Sequence, residues 1–228
     1  MSESEISENQ EDGSQKLSLE ELAQQALPSN PELIIQSQKL EIERLRNQLL
    51  QIIEAARVDQ QTSLYNKNAY LEMLYPILMH AFRTGKPLGV IAMDLQGLKK
   101  INDEEGHEAG DEYIAIFGQA IKEVMAERKR ETDLGFRVGG DEVILLLPDT
   151  DIEGVQKAAE DYSKILTEKK VKTGIGVGLV NSTGIDSMME SFRAIDRALY
   201  RSKKIGYETG ENNVQVAKRD NISRERAA

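Results

Sequence analysis

Cysteine is absent from the 228 residues, which excludes disulfides and thiolate metal sites and gives no sign of an oxidising compartment. No apolar run approaches the ~18 residues needed to span a bilayer. Met1 to Asp12 is acidic and lacks the apolar stretch of a secretory signal, so a cytoplasmic chain with no membrane partner is expected. Clustered Lys and Arg are missing too. A net charge of −10 speaks against nucleic-acid and anionic-membrane surfaces. It leaves nucleotides open, because acidic sites handle triphosphates through divalent cations. Neither Gly-x-x-x-x-Gly-Lys-Ser/Thr nor Gly-x-Gly-x-x-Gly occurs, so P-loop and dinucleotide folds lose weight. What is present, 39% hydrophobic and 30% charged residues, suffices for one domain of ordinary core size plus an extension.

Residues 1–30 read as a solvated tail with seven acids against one lysine, Lys16. Within it, Ser18-Leu19-Glu20-Glu21 has capping-box spacing ahead of a possible short helix over Leu22 to Leu27. Residues 31–58 carry a different pattern. Ile35, Gln38, Ile42, Leu45, Leu49, Ile52 and Ala56 form an a/d seam, apolar at six of seven positions. Isoleucine at two a positions with leucine at a d position favours a parallel two-stranded coil, hence a homodimer through this helix. The competing reading is an amphipathic helix packed on its own domain.

From Asp59 the pattern alternates. Helices are expected over Ala69–Phe82, Asp111–Arg128, Gly154–Lys169 and Ser187–Lys204, and strands over Pro87–Met93 and Val171–Val180. Phe136–Val138 and Glu142–Leu147 flank Gly139-Gly140-Asp141 as a hairpin. This is an α+β domain over 59–210, with helices around a mainly antiparallel central sheet and the coiled-coil helix before it. Residues 211–228, polar and mildly basic, read as a flexible C-terminal tail.

Asp94 stands directly after a buried strand, as a cap for the next turn or as a metal ligand. Asp141 and Glu142 sit in a turn whose glycines leave room for a ligand against backbone. Taken alone, Gly-Gly-Asp-Glu is an ordinary turn. Two acidic strand ends facing each other would make a hard-cation site able to orient a triphosphate.

Five separated blocks in one order carry a resemblance. They are Asp59-Gln60-Gln61-Thr62-Ser63-Leu64-Tyr65-Asn66; Asp94 with Leu98 to Asp103 and Gly106 to Asp111; Arg137 to Glu142; Thr173 to Gly178; and Asp196 to Lys203. From Asp59 to about Tyr207 the chain resembles the GGDEF domain of diguanylate cyclases, a palm-like nucleotidyl-cyclase fold. The resemblance implies condensation of two GTP into cyclic di-GMP with release of two pyrophosphates. Asp94 and Asp141 would then hold Mg²⁺ (or Mn²⁺), helped by the backbone carbonyl of Leu95. Glu142 would sit by the metal and the ribose 3′-hydroxyl, as base or further carboxylate. Asn102 and Asp111 would read guanine, whose O6, N1 and N2 suit an amide and an acid and exclude adenine. Lys203 would meet the terminal phosphates, together with backbone amides near Gly97 and Leu98. Arg130 and Asp133, an Arg-x-x-Asp pair, match the family's inhibitory product site for cyclic di-GMP, and His107 reads as a structural histidine.

The chain also departs from the family pattern. Val143 and Leu98 stand where phenylalanine is usual, and Gln96 where aspartate is frequent. Tyr207-Glu208 replaces Arg-Asn, removing a phosphate-binding cation. The opening block lacks the family's leucine, glycine and arginines. The alternative reading is therefore a weak or inactive GGDEF domain that serves as a receptor or adaptor for GTP or cyclic di-GMP.

Overall fold

A computed structural model describes residues 31–180 and 185–218. The acidic segment 1–30, with its possible short helix, and residues 219–228 lie outside the described residues. Two compact units divide between Ile53 and Glu54. Helix α1 (Pro31–Ala56) buries none of its residues. Its seam residues Ile35, Ile42, Leu45, Leu49 and Ile52 are each at least half exposed, as are Leu33, Leu40 and Leu50. Such an apolar length on one helix is an unpartnered surface. Among the described residues no helix is long and apolar enough to cross a membrane.

The domain from Glu54 onward is built on β1 (Leu88–Leu95), β2 (Leu134–Arg137), β3 (Glu142–Pro148), β4 (Thr173–Val180) and β5 (Asn213–Val216). The sheet order is β2-β3-β1-β4-β5. Every pairing is antiparallel except β4 with β5. This is the expected α+β architecture with a mainly antiparallel sheet. Helices α2 (Lys67–Thr84), α3 (Leu98–Glu105), α4 (His107–Arg128), α5 (Ile152–Glu168) and α6 (Ile185–Thr209) surround it.

All of β1 is buried, so alternation along it divides two cores. Ile91, Met93 and Leu95 pack with Phe117, Ile121 and Val124 of α4 and with Tyr162 and Leu166 of α5. Leu88, Val90 and Ala92 pack with Ala69 and Ala81 of α2 and Ile195 of α6. The glycines of β4 let α6 come close, since a Cβ on Gly176 would lie 2.4 Å from the Leu199 backbone nitrogen. That proximity carries Lys203 to the end of β1.

Two elements differ from the sequence expectation. The segment after Asp94 forms α3, set off from α4 by Gly106 at φ +92°. The expected flexible tail is ordered where it begins, because β5 completes the sheet. Asn212 accepts from the Thr173 amide (2.8 Å) and donates to the Val171 carbonyl (2.8 Å). Asn213 donates to the Ser202 carbonyl (2.9 Å), and the Ser202 hydroxyl donates to the Asn213 carbonyl (2.7 Å). Amide side chains that composition counts as solvent-loving here supply backbone pairing.

Candidate active site

Asp94 follows Leu88, Val90 and Ala92 on their side of β1 and faces α6. Lys203 Nζ lies 2.9 Å from Asp94 Oδ2. Burial pushes the Asp94 carboxyl above its ordinary value; Lys203 pulls it down, and the charge of Asp141 pushes it further up. Burial also pulls Lys203 down, but Asp94 outweighs it and the net direction is upward. Desolvation wins at Asp94 and pairing wins at Lys203 because their side chains are 7% and 31% exposed, respectively.

The hairpin brings the other acids to this end of the sheet. Glu142 is the register partner of Asp94 across β1 and β3, but its exposed side chain lies against Gly139, and the acid whose charge acts on Asp94 is Asp141. The Leu95 amide donates to the Asp141 carbonyl (2.9 Å), and the Val138 amide donates to the Glu142 carbonyl (3.0 Å). Arg137 clasps the turn from outside, with Nη2 donating to the Gly140 carbonyl (2.6 Å) and Nη1 to Asp59 Oδ1 (3.1 Å). Asp59 also accepts from the amide and hydroxyl of Thr62. Burial raises the Asp59 carboxyl, yet the Thr62 hydrogen bonds and Arg137 leave it below its ordinary value. In the sequence Arg137 is one residue of the hairpin motif. Its clasping role depends on Asp59, 78 residues away in the chain, and no local pattern announces it.

A cleft of about 460 Å³ opens here, lined by Asp94, Leu95, Gly97, Leu98, Asp141 and Lys203. Lys99, Lys100 and Tyr207 line it as well. Gly97, at φ +84°, begins α3 with no side-chain cap, so the first amides of the helix remain available to an anion. Gln96, where an aspartate is frequent in the family, is buried and donates to the Lys203 carbonyl (3.1 Å). It fastens α6 to the mouth of the cleft and adds no charge.

Asn102, Asp111 and Glu142 are not among the residues lining this cleft. Asn102 lies against Gly110, where an added Cβ would fall 1.8 Å from its Oδ1. That places it one residue from Asp111, whose Oδ1 accepts from Gln61 Nε2 (2.7 Å).

Arg130 and Asp133 occupy a different place, beside a cavity of about 640 Å³ lined also by Tyr65, Lys122 and Met125. They are closed on each other. Arg130 Nε donates to Asp133 Oδ1 (3.0 Å) and Nη2 to the Pro148 carbonyl (2.9 Å), while Arg128 Nε stands 3.7 Å from Asp133 Oδ2.

Among the described residues no three His, Cys, Asp or Glu side chains form a ready metal cage. Two carboxylates, Asp94 and Asp141, with a carbonyl at Leu95 are still a fitting donor set for Mg²⁺, which keeps several waters and takes its remaining ligands from substrate phosphates.

The comparisons with known proteins give the family and the fold. The family model described as diguanylate cyclase, GGDEF domain, matches residues 56–209. Diguanylate cyclase DgcM of Escherichia coli is 31% identical over 160 residues, covering 68% of this chain and 38% of that protein. Response regulator PleD of Caulobacter vibrioides is 27% identical over 195 residues, covering 78% of this chain and 42% of that one. The chain therefore spans about two fifths of these relatives. The crystal structure of the coiled coil and GGDEF domain of DgcB from Caulobacter crescentus, in complex with c-di-GMP, superposes with a TM-score of 0.68 at 23% identity and covers 82% of this chain and 98% of that one. The fold and the acidic hairpin define a nucleotidyl-cyclase-like domain. The chain belongs to the GGDEF diguanylate cyclase family.

Proposed function

We propose that the protein condenses two GTP molecules into cyclic di-GMP and two pyrophosphates in the cytoplasm. The observation that carries this reading is the meeting of buried Asp94 with Asp141 and Lys203 in one cleft beside the uncapped start of α3. The family works with divalent ions, and here Asp94, Asp141 and the Leu95 carbonyl would hold Mg²⁺ or Mn²⁺. When bound, the ion supplies charge neutralisation for the triphosphate and for the developing negative charge. The chain's own residues do the rest. Lys203 and the amides near Gly97 and Leu98 hold the terminal phosphates. Asn102 and Asp111 orient guanine. Glu142, exposed at the start of β3, accepts the proton of the attacking 3′-hydroxyl.

One domain presents one nucleotide, so turnover requires two domains facing each other. The exposed seam of α1 gives the means, as a parallel coil that holds two copies at high effective concentration. Cyclic di-GMP inhibits at Arg130 and Asp133, and its binding opens their ion pair.

One observation favours a binding-only domain instead: Tyr207 lines the cleft where the family has a cation. Incubating the full chain with GTP and Mg²⁺ or Mn²⁺ and identifying products by mass separates the readings. Cyclic di-GMP supports the cyclase, whereas GTP bound and recovered unchanged supports the receptor.

A further inference from the structure

Gln61 occupies the place of a leucine in the family's opening block, and it does what leucine cannot. Its Oε1 accepts from Arg137 Nη1, and its Nε2 donates to Asp111 Oδ1 at 2.7 Å. The chemistry fixes which end is which. A guanidinium only donates, so the amide oxygen must face Arg137 and the amide nitrogen Asp111. Arg137 is a firm anchor, 11% exposed and held by Asp59 and the Gly140 carbonyl. Asp111, by contrast, is exposed near the start of α4 and would otherwise sample several rotamers.

We propose that Gln61 is a positioning residue that presets the Asp111 carboxylate for guanine and links base recognition to the acidic hairpin. The connection runs Asp111–Gln61–Arg137–Gly140. Asp111 keeps Oδ2 and a second lone pair on Oδ1 for the N1 and N2 protons of the base. The inference rests on the reading of Asp111 as a guanine reader.

The test compares GTP with ITP, which lacks the N2 amino group, in full-length wild type, Gln61→Leu and Gln61→Met. Methionine keeps the length of glutamine without its hydrogen bonds. Expected in both variants is a rise of about fivefold in KM for GTP, exceeding any change in kcat, and a fall of at least about threefold in the GTP-over-ITP preference, as when a base-reading group loses its pairing. Should wild type bind without turnover, Kd replaces KM in the same comparison. An unchanged preference in both variants overturns the role of Gln61 while leaving the cyclase reading intact. A wild type that binds no guanine nucleotide overturns both.

A different observation supports a second inference, independent of the catalytic reading. Helix α2 buries Ala69 and Ala81 in the core, yet Leu71, Tyr75, Met79 and Phe82 are 61%, 69%, 40% and 51% exposed. Their spacing of four, four and three makes one stripe about 17 Å long on the outer side. We propose that this stripe packs on the same stripe of a second copy, antiparallel about a two-fold axis midway between Tyr75 and Met79. The arrangement is self-complementary, with Tyr75 against the partner's Met79 and the Leu71–Glu72 end against the Phe82–Arg83 end, where Arg83 joins the pair that Glu72 already forms with Arg57 of its own chain. The patch is smaller than the roughly 1,000 Å² of a free-standing interface, which suits copies already tethered.

Tyr75→Cys and Met79→Cys, made singly in this cysteine-free chain and coexpressed, test the contact after mild oxidation. Antiparallel packing yields mostly mixed 75–79 disulfides, identified by mass, and adding Leu71→Lys with Phe82→Lys abolishes them. Like-with-like disulfides in the majority, or cross-linking unaffected by the lysines, overturns it.

Discussion

At Asp94 two effects oppose each other on one carboxyl. Burial disfavours the charge and Lys203 favours it, and burial prevails. The folded chain thus keeps a proton that the unfolded chain has already released. From the ordinary carboxylate value up to the raised one, stability falls as pH rises; below that window both states are protonated and the effect vanishes. Without divalent ions, the melting temperature of wild type should therefore fall relative to that of Asp94→Asn as pH rises through the window. A wild type that gains on the variant over the same range would show that the Lys203 pair, not burial, governs the group. Tyr207 yields a second expectation at this scale. Tyr207→Arg should lower the KM for GTP about tenfold, since one hydrogen bond between charged groups is worth ~1.5 kcal/mol. Steady-state kinetics checks it, and an unchanged KM would mean that Lys99 and Lys100, which line the same cleft, already supply the charge.

Among the elements, those with strong apolar periodicity were legible in the sequence. Strand β1, the β2–β3 hairpin and helices α2, α4, α5 and α6 are the elements the pattern predicts, because each buries a stripe or an alternating set, although α4 starts four residues before Asp111 and α6 runs five residues past Lys204. Helix α3 and strand β5 were not legible. The eight residues of α3 bury none of their side chains, and β5 owes its place to Asn212 and Asn213, 39 and 11 residues from their partners Thr173 and Ser202. In the site, Asp94, Asp141 and Lys203 could be named from their motifs, whereas the bonds of Arg137 and Gln61 reach across the fold and leave no local trace. The Asn212 account is open to measurement. Asn212→Ala leaves the Thr173 amide and the Val171 carbonyl without these bonds and should cost about 2 kcal/mol in urea unfolding; a loss below about 0.5 kcal/mol would mean that water replaces the side chain. Helix α1 is tested by Leu45→Lys with Leu49→Lys, which should give a folded monomer, verified by sedimentation, that no longer forms product. Full specific activity in that monomer would remove the coil from the mechanism.

Over the whole molecule, the two proposed sites lie apart and each holds an ion pair. The cleft at the end of β1 is open, with carboxylates, amides and a lysine gathered around it. The Arg130–Asp133 pair is closed on itself, and Lys203 is likewise paired with Asp94, so on the proposed reading both product inhibition and metal binding would have to open a formed ion pair. If cyclic di-GMP inhibits there, Arg130→Ala should relieve the inhibition in an initial-rate assay without lowering the rate measured before product accumulates. The central claim, that two such clefts facing each other join two GTP molecules, is tested most directly by incubating the full-length protein with GTP and Mg²⁺ beside the Asp141→Ala, Glu142→Ala variant and resolving the products by mass. Cyclic di-GMP and pyrophosphate from wild type, with neither from the variant, is the predicted result. Intact GTP from a folded wild type that binds the nucleotide would contradict it.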